Sequence, residues 1–267
     1  MAHKTRVGVL ISGGGTNLQA IIDASKSNRI HAKVAFVGSD NPGAYGLKRA
    51  QKHGIPTFLV DYRAIIKETR GRSLEGLVPE DFDLEMCLRQ AGQGLPHPSS
   101  ERMKVERYFS TRAIAEATLL RQMAAYPFDL LVLAGFMRLV TPYFIDRVNT
   151  DRSQPRIMNI HPALLPSFPG VDGYGDTYRY GCKVGGCTVH FVDYGEDTGP
   201  IIGQNAFEIT SDDTVDTVRK KGLKLEWPLY LQCIQLFAEG RLRVVSKTYT
   251  MEDGTEFNRK VVEIAPL

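Results

Sequence analysis

Arg6-Val7-Gly8-Val9-Leu10-Ile11-Ser12-Gly13-Gly14-Gly15-Thr16-Asn17-Leu18-Gln19-Ala20-Ile21 is the stretch on which the fold turns. Residues 6–11 are a short apolar run rich in β-branched side chains, which suits a strand, and Ser-Gly-Gly-Gly ends it. Thr16 then stands where a helix cap belongs. Leu18, Ile21 and Ile22 follow the i, i+3, i+4 spacing of one buried helical face, and the small Ser25 comes at i+7, where that face ends. Ala32–Gly38 (AKVAFVG) repeats the strand signal, Tyr45–His53 repeats the helical one up to Gly54, and Thr57–Val60 reads as a third strand. Strand and helix alternating in this way predict a parallel sheet covered on both faces.

Beyond Ile66 the pattern lapses until Arg107, across Pro79, Pro96, Pro98 and four glycines. Structureless connections this long are uncommon in compact domains, so residues 67–107 are expected to be an insertion, a lid or a partly helical excursion. A helix over Thr111–Ala125 follows, with Ala115, Leu119 and Met123 facing inward. Asp129–Ala134 (DLLVLA) is continuously apolar, the mark of a strand buried on both faces. Arg156–Ile160 reads as another strand, and Cys187–Val192 and Pro200–Ile209 as an antiparallel pair. Thr214–Ala238 is a long helical pattern interrupted at Pro228, and Arg241–Val245 a closing strand. The expected fold is α/β: a mostly parallel, Rossmann-like twisted sheet with helices on both faces and an antiparallel C-terminal extension. One domain is expected over 1–267, with the insertion at about 67–107 and a short C-terminal tail at 247–267.

Of the 267 residues, 43% are hydrophobic and 24% charged, which excludes a disordered, collagenous or disulfide-scaffold chain. A net charge of +3 is too small for a dedicated nucleic-acid or membrane binder, though a small phosphorylated substrate is compatible with it. Cys87, Cys182, Cys187 and Cys233 are sparse and irregularly spaced. Without a second pair or a nearby His they read as thiols of a reducing compartment rather than as zinc ligands. No stretch approaches the roughly 20 apolar residues of a membrane span, and the start lacks signal-peptide features, so a cytoplasmic location is expected.

Three segments could carry chemistry. In Ser12–Asn17 the glycines let backbone N–H groups and the helix start approach an anion, so a phosphate site is a natural use and a plain tight turn an equal alternative. No Gly-Lys-Ser/Thr follows, and Leu18 stands where the third glycine of G-x-G-x-x-G belongs. In Met158–Pro162 a strand ends on Asn159 and His161. Period-two alternation puts these on one side, at the strand end where open parallel sheets bind ligands. Of the other histidines, His31, His53 and His97 read as surface or loop residues, His3 as part of a terminal arm, and His190 as an interior strand residue. The loop Asp193–Pro200 carries Asp193, Glu196 and Asp197 among glycines. It reads first as a polar hairpin turn, although a carboxylate reaching His161 would orient the imidazole and favour its cation.

Taken together, Ile11–Ile21, Leu133–Arg138 (LAGFMR), Asn159–Gly170 (NIHPALLPSFPG), Thr188–Val192 (TVHFV) and Asp197-Thr198-Gly199-Pro200 resemble, in order, the folate-dependent phosphoribosylglycinamide formyltransferases of purine biosynthesis. The resemblance implies the formyltransferase fold and direct formyl transfer from 10-formyltetrahydrofolate, as co-substrate, to the amine of 5'-phosphoribosylglycinamide. It implies no covalent enzyme intermediate and no metal, and small-molecule partners rather than nucleic acid or membrane, with a homodimer left open. It assigns Asn159, His161 and Asp197 to catalysis and Gly15, Thr16 and Asn17 to the substrate phosphate. Met137, Arg138, Leu139, Val140 and Asp193 fall to the folate. Arg112 is similar in context to a folate-contacting arginine, and Glu226 to an acidic substrate contact. In such chemistry the attack of an amine on a formyl carbon develops an oxyanion, to which Asn159 can donate, while protonated His161 can hand its proton to the leaving folate nitrogen.

Two departures stand out. Val171–Gly186 is rich in Tyr and Gly where the family usually has a more helical stretch containing His, and Trp227 stands where a His usually follows the acid. Both bear on substrate affinity more than on chemistry. The alternatives are a formyltransferase acting on initiator methionyl-tRNA, a formyltetrahydrofolate hydrolase, and a non-catalytic ligand-binding relative. The first would need a basic C-terminal RNA-binding domain, which the charge-mixed tail does not resemble. The phosphate-type loop argues against the second, and intact Asn159, His161 and Asp197 argue against the third.

Overall fold

The computed structural model describes residues 4–90, 99–151 and 153–266. In chain order the elements begin with β1 (Thr5–Ile11), α1 (Thr16–Lys26), β2 (Ala32–Ser39), α2 (Tyr45–Lys52), β3 (Thr57–Leu59) and α3 (Tyr62–Glu68). They continue with α4 (Leu84–Gln90), α5 (Ser99–Ala124), β4 (Leu130–Leu133), α6 (Pro142–Val148), β5 (Ile157–His161) and α7 (Gly173–Arg179). Last come β6 (Val184–Phe191), β7 (Ile201–Glu208), α8 (Val215–Ala238), β8 (Leu242–Thr250) and β9 (Glu256–Ile264). Two compact units are formed, one from Arg6–Gln19 and Val34–Thr150, the other from Met1–Thr5, Ala20–Lys33 and Asp151–Leu267.

In the first unit the strand order is β3-β2-β1-β4. β1 and β4 run parallel with Val7 opposite Leu130 and Leu10 opposite Leu133, and β2 and β3 run parallel with Val37 opposite Thr57. Val7, Val9, Leu10, Ile11 and all four residues of β4 are buried, as their apolar runs require. Arg6 clamps the start of this pairing by donating to Asp129 through its backbone N–H, Nε and Nη2 at 2.8, 3.1 and 2.7 Å.

The excursion is partly helical: residues 69–83 run through turns and bends, and helices α4 and α5 follow. α4 and the early turns of α5 enclose a small core of Cys87, Phe109, Ala113 and Tyr143, with Phe82, Leu84 and Val105 against it. α5 therefore starts well before Thr111, because Val105 and Phe109 find apolar partners on a segment whose prolines and glycines mask its periodicity. Residues 91–98, including Pro96, His97 and Pro98, lie outside the described residues, as does His3.

Glu116 on α5 is wholly buried and fastens the start of α6. Its Oε1 accepts from the Thr141 backbone N–H at 2.8 Å and its Oε2 from the Thr141 hydroxyl at 2.5 Å. Burial raises its pKa to about 7, against the lowering effect of the two Thr141 hydrogen bonds. The unfolded carboxyl releases its proton nearer pH 4.3. Between those values the folded chain binds the extra proton, so stability falls as pH rises, by at most about 1.4 kcal/mol per pH unit, and levels off above the folded pKa. Glu116→Gln keeps the shape and is expected to flatten this part of the curve; urea unfolding at pH 5, 6 and 7 checks it, and an unchanged slope would refute the assignment.

In the second unit β5, β6 and β7 form successive antiparallel pairs, Asn159 opposite His190 and Thr188 opposite Gln204. α8 runs unbroken through Pro228, against the expected interruption. An interior proline costs about 3 kcal/mol, but Leu229, Tyr230, Cys233 and Ile234 just beyond it are buried, and the Tyr230 hydroxyl donates to the Met158 carbonyl at 3.0 Å. Within the tail, residues 247–264 contribute to a hairpin, β8 pairing β9 from Leu242 opposite Ile264 to Thr250 opposite Glu256. The local signal for it is Asp253-Gly254, a common turn pair in a hairpin.

Candidate active site

The site in the second unit starts from strand register. Asn159 and His161 alternate onto one face of β5, and the antiparallel pairing sets His190 of β6 directly across from Asn159. Directly opposed side chains share a face, so an amide and two imidazoles converge.

The chain leaving β6 adds the carboxylate. Asp193 Oδ1 accepts from the Gly195 N–H at 3.2 Å and the Thr198 hydroxyl at 2.6 Å, which knots the loop. At Gly199 the returning backbone presses so closely on β6 that a Cβ would sit 1.8 Å from the Phe191 carbonyl oxygen. Between these points Asp197 adopts φ +55, a left-handed conformation that costs a non-glycine residue roughly 1 kcal/mol or more, Asp being among the more tolerant. Its side chain recovers this in hydrogen bonds. Oδ2 accepts from the Gly170 N–H at 2.9 Å and lies 3.1 Å from His161 Nδ1, and Oδ1 lies 3.5 Å from His190 Nε2.

Burial acts to raise the Asp197 pKa, but the hydrogen bonds from His161, His190 and Gly170 outweigh it and hold the carboxyl well below the usual carboxylate range. His161 is 2% exposed, and its Nε2 lies 2.7 Å from the Phe168 carbonyl oxygen. A carbonyl and a carboxylate can only accept. Each contact is a hydrogen bond only when the facing ring nitrogen carries the proton. His190 Nδ1 donates to the Phe191 carbonyl at 2.9 Å, and its Nε2 lies 3.3 Å from Asn159 Nδ2 and 3.5 Å from Asp197 Oδ1. The result is a chain of contacts, Asn159 to His190 to Asp197 to His161, joining the three residues singled out from sequence. The sequence marks His190 only as an interior strand residue; the β5–β6 register places it in the site.

Glu226, on α8 of the same unit, is buried and accepts from the Tyr174 hydroxyl at 2.8 Å. Tyr174 lies on α7, so the Tyr- and Gly-rich segment does contain a helix, and it reaches the acid through a phenol. Cys187 and Cys233 are buried nearby, and burial pushes each thiol up to about 12, away from nucleophilic use.

In the first unit, Gly15 adopts φ +69 and its Cα packs against α2, where a Cβ would meet the Gly46 Cα at 2.8 Å. Gly13, Gly14 and Thr16 are exposed and Asn17 is buried at the first turn of α1. Arg49 donates to the Gly14 carbonyl at 2.8 Å, bringing a cation to the loop. Met137 and Leu139 are exposed large apolar side chains beyond the end of β4, Val140 is buried, and Arg138 pairs with Asp40 at 2.5 Å. Arg112 is half-buried, its guanidinium 4.6 Å from the Tyr108 ring centre.

The formyl transferase family model matches residues 5–234. The chain belongs to the formyl transferase family. Within it, phosphoribosylglycinamide formyltransferase of Bacillus subtilis (strain 168) is 31% identical over 227 residues, 85% of this chain and 91% of that protein. The trifunctional purine biosynthetic protein adenosine-3 of Drosophila melanogaster is 34% identical over 240 residues; they make up 89% of this chain but only 14% of that protein's length. The structure of glycinamide ribonucleotide transformylase 1 from Symbiobacterium toebii superposes with a TM-score of 0.71 at 36% identity, covering 100% of this chain and 96% of its own. The chain therefore has the formyltransferase fold expected of it, parallel in its first strands and antiparallel in its last. The Trp227 side chain, next to Glu226 in sequence, is partly exposed.

Proposed function

We propose that this formyltransferase moves a formyl group from 10-formyltetrahydrofolate to the amine of 5'-phosphoribosylglycinamide, a step of de novo purine biosynthesis. The observation that carries the reading is the His161–Asp197 pair at the end of β5, with Asn159 beside it. In the reaction the amine nitrogen bonds to the formyl carbon, the bond from that carbon to the folate nitrogen breaks, and the proton shed by the amine ends on that nitrogen. Asn159 donates to the formyl oxygen as negative charge develops there. His161 supplies a proton to the departing nitrogen from Nε2, which rests on the Phe168 carbonyl in the free enzyme, while Asp197 holds the ring and its charge.

The remaining roles follow the family. Gly15, Thr16 and Asn17 bind the ribonucleotide phosphate with backbone N–H groups, and Glu226 is an acidic contact to the substrate. Met137, Arg138, Leu139, Val140, Asp193 and Arg112 serve the folate. Exposed apolar Met137 and Leu139 suit a flat aromatic ring system, and Arg112 suits an anionic tail. Residues 67–107 are read as an insertion in a single working domain. Among the described residues no helix is long and apolar enough to cross a membrane, and a cytoplasmic location is part of this reading.

A spectrophotometric formyl-transfer assay tests the proposal, with phosphoribosylglycinamide offered against water and against methionyl-tRNA as acceptors. Saturable transfer that requires the ribonucleotide is expected. Release of formate without it would favour the hydrolase reading, and no turnover with any acceptor would overturn the proposal.

A further inference from the structure

The folate-side segment is held by a residue that neither motif nor composition singles out. Asp40 directly follows β2, and its side chain is almost wholly buried. Its Oδ2 accepts from Arg138 Nε at 2.5 Å, and its Oδ1 accepts from the Ser12 hydroxyl. The Ser12 oxygen in turn accepts from the Met137 backbone N–H at 2.8 Å. These bonds close a ring: Ser12 to Asp40, Asp40 to Arg138, and back through the Met137 amide to Ser12. The next residue, Asn41, donates from Nδ2 to the Ser12 carbonyl at 2.8 Å, and the Ser12 N–H donates to the Gly135 carbonyl at 2.9 Å. Ser12 is also the first residue of the glycine loop.

We propose that Asp40 is a positioning residue for the folate side of the reaction, and that through Ser12 it ties the glycine loop to the Met137–Arg138 segment. The inference rests on the assignment of that segment to the folate. Arginine is long and flexible, and an ion pair made through Nε fixes the stem while leaving the terminal amino groups of the fork for a ligand. The Tyr62 ring, with its centre 5.6 Å from the guanidinium carbon, limits the other side. A hydroxyl that accepts the Met137 amide while donating to Asp40 sets the backbone beside that arginine, so one buried carboxylate orients both the side chain and the peptide of the segment.

Asp40→Asn is nearly isosteric. Its amide oxygen can still accept from Ser12, but its charge and its acceptor for Arg138 are lost. The expected result is a folate KM raised roughly tenfold, the size of one lost charged hydrogen bond, with kcat within about threefold of wild type. Ser12→Ala, which removes the Met137 anchor and the link to the glycine loop, should raise the KM of both substrates, and it reads the same linkage if Asp40→Asn does not fold. A purely structural role would lower the melting temperature or the active fraction and leave both KM values unchanged; that outcome overturns the proposal. Arg138→Ala separates the two levels of the argument. If it raises the folate KM and Asp40→Asn does not, the positioning role fails and the folate assignment stands. If Arg138→Ala leaves the folate KM unchanged, the assignment itself falls.

Discussion

His161→Ala is expected to lower kcat by roughly a thousandfold, within the range usual for loss of a positioned general acid, while calorimetry still detects ribonucleotide binding. The expectation follows from the ring's surroundings. His161 is almost fully buried, and each of its nitrogens faces an oxygen that can only accept. A ring held in this way delivers a proton from a fixed place, and alanine leaves behind only a cavity. His190 is no substitute, because its Nδ1 is committed to the Phe191 carbonyl and its Nε2 faces Asn159 and Asp197. Asp197→Asn should cost roughly a hundredfold through the same route, since an amide no longer balances the imidazolium, and combining the two changes should cost little more than His161→Ala alone. Steady-state formyl transfer measures both. A His161→Ala enzyme within tenfold of wild type would end the proposed acid role.

Asn159→Ala is expected to reduce kcat and kcat/KM together by roughly a hundredfold or more, the usual penalty for removing one donor to a developing oxyanion. Equal losses in the two constants are the signature of a contact made only as charge develops. The amide is aimed by His190 at 3.3 Å. His190→Ala should therefore show a smaller loss of the same kind, roughly tenfold, by releasing the amide from its orientation. If Asn159→Ala raised only the KM of the ribonucleotide, the residue would be a ground-state contact and the oxyanion role would fail.

Much of this molecule was legible without coordinates. Arg6–Ile11, Ala32–Gly38 and Asp129–Ala134 read as strands because parallel strands buried on both faces need continuous apolar runs, and Thr16 and Gly15 mark the turn from strand to helix. Other elements could not be read locally. The early turns of α5 are stabilised by α4 and by Tyr143 of α6, partners distant in sequence. Pro228 stays inside α8 because the burial of Leu229 and Tyr230 outweighs a local penalty. Of β8 and β9 only the start of β8 reads as a strand, at Arg241–Val245, because exposed charges hide the alternation of the rest.

For the site, the sequence by itself determined which groups are present and in which local settings: an Asn and a His two residues apart at a strand end, an acidic loop among glycines, and a glycine turn before a helix. Spacing within a strand sets side-chain direction, so Asn159 and His161 could be placed on one face without a fold. Only the tertiary structure decided that Asp197 reaches His161, that His190 stands between Asn159 and Asp197, and that Asp40 anchors Arg138 and Ser12. Each of these depends on strand register or on a chain reversal across tens of residues, and such contacts arise from the packing of whole elements, which local propensity does not encode.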